Sequence, residues 1–122
     1  MPTLYRNLLD FNTGQLANLK TAIIAGEACP PKLVELHFQQ AENCKLYNEY
    51  GPTEATVWAS VYPCKPEDRT KERIPIGQPI PGTEIRILNS HLEAIPTGHT
   101  GELFILGPGI AQGYLNRPQE TE

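Results

Sequence analysis

"TAIIAGEACPPKLVELHFQQAENCKLYNEYG", residues 21 to 51, contains the clearest signals for a fold in this sequence. A short apolar run from Ala22 to Ala25 ends at Gly26, which is typical of a buried parallel strand. Prolines at 30 and 31 begin a helix well, because the first amides of a helix have no partner inside it. "KLYNEYG" predicts the next strand. The order strand, helix, strand therefore indicates a right-handed βαβ unit.

Two segments have apolar residues at the spacing of a helix. The opening "MPTLYRNLLDF" places Leu4, Leu8 and Leu9 at helical intervals. In the segment after the prolines, the residues that share one helical face are Leu33, Val34, Phe38 and Ala41.

The pattern changes in the second half of the chain. "ATVWASVYP", from residue 55, alternates and predicts a strand. Lys65 to Arg73 carries seven charges of both signs in nine residues, which predicts a solvated connector. "TEIRILN" and "GELFILG" alternate around turn residues, with Ile85 and Ile87 predicted to face inward, and indicate antiparallel strands. We therefore expect a parallel α/β part over 1–62, a charged connector over 63–73 and an antiparallel β part over 74–122.

Composition excludes several classes of function. The chain has 122 residues, a formal net charge of -4 and no basic block, so a nucleic-acid footprint is absent. No apolar run approaches the roughly 18 residues of a membrane span, and no signal peptide is evident. The three cysteines are widely spaced and form no CxxC pair, which favours free thiols in the cytoplasm.

The residues that end the two predicted parallel strands could bind a nucleotide. Gly26 permits a flat ligand to approach, and Tyr50 could stack on a ring. Thr53 could contact a phosphate oxygen, and Glu54 could hold a Mg²⁺ ion that bridges phosphates. A purely structural alternative is a turn in which Thr53 and Glu54 cap a short helix. Residue type and spacing leave these two interpretations open.

The glycines of "GPGIAQGYL", residues 107 to 115, do not have the spacing of a dinucleotide-binding loop. They favour a bulge or a sharp corner after a strand. The histidines are scattered and assemble no catalytic triad.

Longer motifs carry a resemblance to a known family. "NEYGPTE", residues 48 to 54, resembles the Asn-x-Tyr-Gly-Pro-Thr-Glu motif of adenylate-forming enzymes, in particular the adenylation domains of nonribosomal peptide synthetases. "GELFILGPGIAQGYLNRPQETE", residues 101 to 122, resembles a second motif of these domains, and "AGEACPPKLV" looks like a third. The resemblance covers essentially the whole chain. It implies the end of a flavodoxin-like parallel α/β subdomain, followed by the start of a distorted antiparallel β subdomain.

The resemblance also implies a reaction. An amino acid would attack the α-phosphate of ATP with the help of Mg²⁺, and the aminoacyl group would pass from AMP to a phosphopantetheine thiol. A peptidyl carrier domain and a condensation domain would be the partners within a parent synthetase. By resemblance, Gly26 and Asn48 would lie at the adenine, and Tyr50 would pack on its ring. Thr53 would contact the α-phosphate and, with Glu54 as the Mg²⁺ ligand, would form the catalytic pair.

The family lines its amino-acid pocket with side chains from these same strands. The matching positions are Ile23, Ala25, Glu49, Val57 and Trp58. A carboxylate in a largely apolar pocket is costly unless it is paired. Glu49 therefore suggests a substrate side chain that carries a cation or a hydrogen-bond donor, unless it turns toward solvent.

The sequence departs from the family in one place and leaves other parts of it out. Gln112 stands where the family usually has an arginine. The phosphate-binding loop and the aspartate for the substrate amine are expected upstream, and the ribose-binding aspartate and catalytic lysine downstream. We therefore expect an internal fragment that is inactive alone. The alternatives are a fragment of an acyl- or aryl-CoA ligase and a non-catalytic, β-rich interaction module.

Overall fold

The computed structural model of the protein describes residues 1–11 and 15–121. These residues form two compact units. One consists of Met1–Tyr50 and Ser60–Gln78, and the other of Gly51–Ala59 and the residues from Pro79 onward. The predicted subdomain boundaries at residues 62 and 74 stay a prediction about a larger domain, and Glu122 lies outside the described residues.

A mixed sheet forms the centre of the first unit. Its strands β1 (Thr21–Ala25), β2 (Lys45–Tyr50), β3 (Ser60–Cys64) and β4 (Gln78–Pro79) lie in that order. β1 and β2 are parallel, and β3 runs antiparallel to β2. The helices α1 (Pro2–Asp10) and α2 (Pro31–Gln40) precede and separate the parallel strands. The predicted strand, helix, strand order is confirmed.

One face of this sheet is covered and supplies the core. Ala22, Ile24 and Leu46 alternate inward along β1 and β2, and the last two are each 1% exposed. The helices cover them with further apolar side chains, chiefly Leu9, Leu33 and Val34. Phe38 packs at the margin of this cluster, and Ala41 is buried within it. The apolar face predicted for α2 therefore packs on the sheet. In α1 only Leu9 of the predicted face is buried, because Leu4 and Leu8 are 63% and 52% exposed.

A buried histidine ties α2 to the start of β2. His37 is fully buried, and its Nε2 donates to the Cys44 carbonyl oxygen at 2.8 Å. In the neutral ring, Nδ1 therefore accepts the hydrogen bond from the Tyr5 hydroxyl at 2.7 Å. Burial lowers the pKa of His37 and outweighs the opposite effect of the Cys44 carbonyl. The ring is consequently a fixed, neutral connector between α1, α2 and β2.

The charged segment after β3 departs from its predicted solvated character at one residue. Most of its side chains are exposed, but Asp68, in a 3-10 turn over Pro66–Thr70, is only 1% exposed. Its carboxylate accepts hydrogen bonds from the Lys65 amide at 2.7 Å and the Tyr62 hydroxyl at 2.9 Å. Lys71 adds an ion pair at 2.8 Å. The segment is therefore anchored to the first unit by a buried acid.

The second unit contains an antiparallel pair of strands, β5 (Glu84–Leu88) and β6 (Glu102–Leu106). Both were predicted, and Ile85 lies opposite Ile105 in the register. The prediction that Ile87 faces inward is wrong, because its side chain is 37% exposed. A parallel α/β part followed by antiparallel strands confirms the predicted fold class. No helix in the described part of the chain is both long and apolar enough to cross a bilayer.

Candidate functional site

The first element of the site is the carboxyl edge of the parallel strands. Ala25 of β1 lies opposite Glu49 of β2, so that Gly26 and Tyr50 both follow this last pair. Gly26 is exposed, and a Cβ placed on it would meet nothing closer than Met1 Cγ at 3.9 Å. Tyr50 is half-buried. The edge therefore combines open space above a backbone with an aromatic side chain in the neighbouring strand.

Asn48 lies beneath this edge rather than at its surface. It is 3% exposed, and its Nδ2 donates to the Pro75 carbonyl oxygen at 2.8 Å. Ser60 Oγ donates to the neighbouring Ile76 carbonyl oxygen at the same distance of 2.8 Å. These two bonds hold residues 75–76 beside the sheet. The contact of Asn48 with adenine stays a prediction, and no pattern in the sequence indicated the role of Ser60.

Three of the predicted pocket residues share the other, less covered face of the sheet. Ile23 is 58% exposed, and Ala25 lies on the same face two residues later. Glu49 sits between Ala25 and Val61 in the register. Burial raises the pKa of the Glu49 carboxyl, and the described residues offer it no ion pair or hydrogen bond. This carboxylate is therefore partly desolvated and unpaired.

Val57 and Trp58 belong to the second unit, and the strand predicted across them is wrong. Thr53–Ala55 form a 3-10 turn, and Thr56 and Val57 have φ values of 54° and 72°. The strand begins only at Ser60. The side chains of Val57 and Trp58 are 68% and 46% exposed. The alternation of residue types is typical of a strand, but the turn that follows Pro52 determines the backbone here.

The Gly-Pro-Thr-Glu turn has a tightly fixed backbone. A Cβ on Gly51 would lie 2.4 Å from the Val57 carbonyl oxygen, so only glycine fits there. The Pro52 carbonyl accepts hydrogen bonds from the amides of Ala55 and Val57 at 3.1 and 3.2 Å. Neither Thr53 nor Glu54 makes a capping hydrogen bond with its side chain, so the capping alternative is wrong. The turn instead presents two exposed polar side chains, those of Thr53 and Glu54.

A tyrosine that sequence reasoning missed contacts the acidic residue of this turn. The hydroxyl of Tyr114 donates to Oε1 of Glu54. The second carboxylate oxygen, Oε2, has no partner among the described residues. The only signal in the sequence was the position of Tyr114 inside the glycine-rich stretch at 107–115.

The turn offers Mg²⁺ a single carboxylate, that of Glu54, as a protein ligand. In the described part of the chain, no group of three or more His, Cys, Asp or Glu side chains could hold a metal ion. Mg²⁺ is commonly held by one or two carboxylates together with substrate phosphates and water. A single exposed carboxylate with a free oxygen, as at Glu54, fits an ion that arrives with a nucleotide.

The sequence matches one protein family almost from end to end. The family is described as "AMP-binding enzyme", and the match covers residues 1–115. Bacitracin synthase 3 of Bacillus licheniformis is 40% identical over 99% of this chain, which spans only 2% of that protein. Tyrocidine synthase 3 of Brevibacillus parabrevis is 35% identical over 94% of the chain, which again spans 2% of the relative.

Solved structures agree with this match. PA1221, an NRPS protein containing adenylation and PCP domains, superposes with a TM-score of 0.91 at 30% identity, over 99% of this chain and 25% of its own. The N-terminal subdomain of Klebsiella oxytoca NpsA, in complex with 3-hydroxybenzoyl-AMSN, gives a TM-score of 0.84 at 29% identity. That match covers 98% of this chain and 31% of the NpsA subdomain. The chain belongs to the family of AMP-binding enzymes.

Proposed function

We propose that the protein carrying this chain is an amino-acid-activating adenylation domain of a nonribosomal peptide synthetase. In the reaction, a carboxylate oxygen of the amino acid bonds to the α-phosphorus of ATP, and the bond to pyrophosphate breaks. The aminoacyl group then passes from AMP to the phosphopantetheine thiol of a peptidyl carrier domain. A condensation domain is the second proposed partner, and the cytoplasm is the proposed location.

The parallel register of β1 and β2 is the observation that carries this proposal. It brings Gly26 and Tyr50 to one carboxyl edge, with open space above the glycine. Open α/β sheets bind their ligands outside the carboxyl ends of the strands. The Thr53-Glu54 turn follows Tyr50 in the chain after only two residues. The proposal gives a use to the aromatic ring at this edge and to the hydroxyl and carboxylate that follow it in the chain.

Each residue has a distinct task in the proposed reaction. Tyr50 stacks on the adenine ring, to which Gly26 leaves access. Thr53, whose hydroxyl makes no hydrogen bond with another described residue, donates to an α-phosphate oxygen. Glu54, whose Oε2 has no partner among the described residues, would hold Mg²⁺. Bound Mg²⁺ supplies positive charge that offsets the charge developing on the phosphates.

The amino-acid side chain is recognised on the less covered face of the first sheet. Ile23, Ala25 and Glu49 lie there together, and Val57 and Trp58 are the further proposed lining residues. An unpaired carboxylate beside apolar neighbours is satisfied by a cation or a hydrogen-bond donor. We therefore propose a substrate whose side chain carries such a group.

Amino-acid-dependent exchange of pyrophosphate into ATP by the full-length protein tests the proposed function. Glu54→Gln keeps the shape of the side chain and removes its charge. We expect it to lower the exchange rate by roughly 100-fold, the usual effect of removing one electrostatic contact to a reacting group. Glu72→Gln is the matched control, because Glu72 is exposed and has no side-chain partner among the described residues. Exchange driven by a fatty or aryl acid rather than an amino acid, or undiminished exchange in Glu54→Gln, contradicts the proposal.

A further inference from the structure

Glu54 is held from a point sixty residues further along the chain. The hydroxyl of Tyr114 donates to its Oε1, and both residues belong to the second unit. Oε1 is thereby occupied, whereas Oε2 has no partner among the described residues. The Glu54 side chain is exposed, so without this bond it would be free to adopt several rotamers. The tyrosine thus selects one orientation of an otherwise unrestrained carboxylate.

The backbone beneath Glu54 is fastened to the same loop. The Ala111 amide donates to the Glu54 carbonyl oxygen at 2.7 Å. Two residues further along the turn, Thr56 Oγ1 donates to the Gly109 carbonyl oxygen at 2.6 Å. The loop that follows β6 therefore contacts the turn at one main-chain bond, through the Thr56 hydroxyl and at the Glu54 side chain. A bulge or corner, the structural interpretation of "GPGIAQGYL", does not require any of these three contacts.

Tyr114 is itself supported by a second layer of contacts. Its amide donates to Thr121 Oγ1 at 3.0 Å, and that hydroxyl donates to the Arg117 carbonyl oxygen at 3.0 Å. Gly113 has a φ of 144°, and a Cβ there would lie 2.3 Å from Thr121 Cγ2. Glycine is therefore required for Thr121 to reach the Tyr114 backbone. The end of the described chain supports Tyr114, and Tyr114 supports Glu54.

We propose that Tyr114 is a positioning residue for the Mg²⁺ ligand Glu54. This inference rests on the proposed function, because it needs Glu54 to bind the ion. The tyrosine hydroxyl takes one carboxylate oxygen and directs the other to the metal. Tyr114 orders the Glu54 carboxylate before the ion arrives. The entropic cost of this ordering therefore does not weaken metal binding. Partners that orient a metal ligand in this way usually change metal affinity by roughly 10- to 100-fold when they are removed.

Calorimetric titration of the full-length protein with ATP, in Mg²⁺ and in excess EDTA, tests the proposal without catalysis. Tyr114→Phe removes only the hydroxyl. Because Tyr114 is partly exposed, we expect the smaller end of that range, about tenfold weaker ATP binding in Mg²⁺. In EDTA the variant should bind ATP as the wild type does, since the hydroxyl acts through the metal ligand. Weakening by the same factor in both conditions overturns the proposal, because it indicates a general structural role.

A double-mutant cycle identifies the residue through which Tyr114 acts. Glu54→Gln and the double variant Glu54→Gln/Tyr114→Phe should bind ATP in Mg²⁺ with the same affinity, because the tyrosine then has no ligand to position. Independent effects that simply multiply overturn the proposal. Tyr62→Phe is the matched control. It removes the hydroxyl that donates to the buried Asp68, so it should lower the unfolding temperature and leave ATP affinity unchanged.

Two outcomes distinguish an error in the proposed function from an error in the role of Tyr114. If Glu54→Gln leaves Mg²⁺-dependent ATP binding unchanged, the proposed function loses its metal ligand, and the role of Tyr114 is lost with it. If Glu54→Gln weakens this binding and Tyr114→Phe does not, the proposed function stands and only the inference about Tyr114 is overturned.

Discussion

Asp68→Asn keeps the size of the side chain, but we expect it to lower the local unfolding free energy of the segment between β3 and β4. The carboxylate is 1% exposed and accepts bonds on both oxygens, Oδ1 from the Tyr62 hydroxyl and Oδ2 from the Lys65 amide. An asparagine must point its NH₂ group at one of these donors. With the amide oxygen on the Lys65 N–H, the NH₂ group faces the Tyr62 hydroxyl, which already accepts from Lys71 Nζ at 2.7 Å. The O–H of Tyr62 must then turn away, and its buried bond to a charged carboxylate is lost.

The magnitude follows from the exposure of each partner. A buried hydrogen bond to a charged group contributes about 1.5–3 kcal/mol, and an unsatisfied buried group adds to its loss. Lys71 contributes little to the difference, because its side chain is 41% exposed and water can replace the carboxylate. We therefore expect a loss of about 2–3 kcal/mol in the local unfolding free energy. This corresponds to roughly 30- to 150-fold faster amide exchange where opening is local.

Hydrogen–deuterium exchange of a peptide covering residues 62–71 in the full-length protein measures this directly. Asp10→Asn is the matched control, because Asp10 is 46% exposed and lies 3.6 Å from Arg6 in a surface pair. Its effect on its own helix should stay below about 0.5 kcal/mol. If Asp68→Asn changes exchange in its segment no more than Asp10→Asn does in α1, the reasoning from burial and bond partners is refuted.

Two further predictions concern charge. Burial lowers the pKa of His37, so the stability that its neutral ring contributes should be fully present above the ordinary pKa of 6.5 and be lost as pH falls through the lowered pKa. Denaturant unfolding of the wild type and of His37→Gln between pH 7 and 5 measures this contribution, and equal slopes of unfolding free energy against pH would contradict it. Glu49→Gln should reduce the rate of pyrophosphate exchange driven by a cationic amino acid by roughly 10- to 100-fold, the range for losing a charged contact. The rate with aliphatic amino acids should be unchanged. A strong preference of the wild type for aliphatic amino acids would contradict the role of Glu49.

The elements that the sequence predicted correctly are those whose local and tertiary signals agree. The run from Ala22 to Ala25, the prolines at 30 and 31 and the apolar face of α2 each specify the same structure, and all are observed. Val57 and Trp58 show the opposite case. Their alternation favours a strand, but Gly51 and Pro52 close a turn that places Val57 at a φ of 72°.

The candidate site was predictable only in part, because several of its contacts are long-range. Residue types at the ends of the predicted strands indicated Gly26, Tyr50, Thr53 and Glu54, and the resemblance gave each of them a role. The bond between Tyr114 and Glu54 joins residues sixty positions apart. Pattern rules describe local periodicity, and they do not show which loop folds back onto which turn. The burial of Asp68 inside a charged run had no local signal for the same reason.

The proposed function depends most on one contact, in which Glu54 meets the phosphates of a nucleotide through a divalent ion. Crystals of the full-length protein grown with ATP and Mn²⁺ in place of Mg²⁺ allow the ion to be located by its anomalous scattering. We expect a peak at a coordination distance of roughly 2.1 Å from Glu54 and in contact with the phosphates. A peak on the phosphates that lies away from Glu54, or nucleotide bound far from Tyr50, would contradict it.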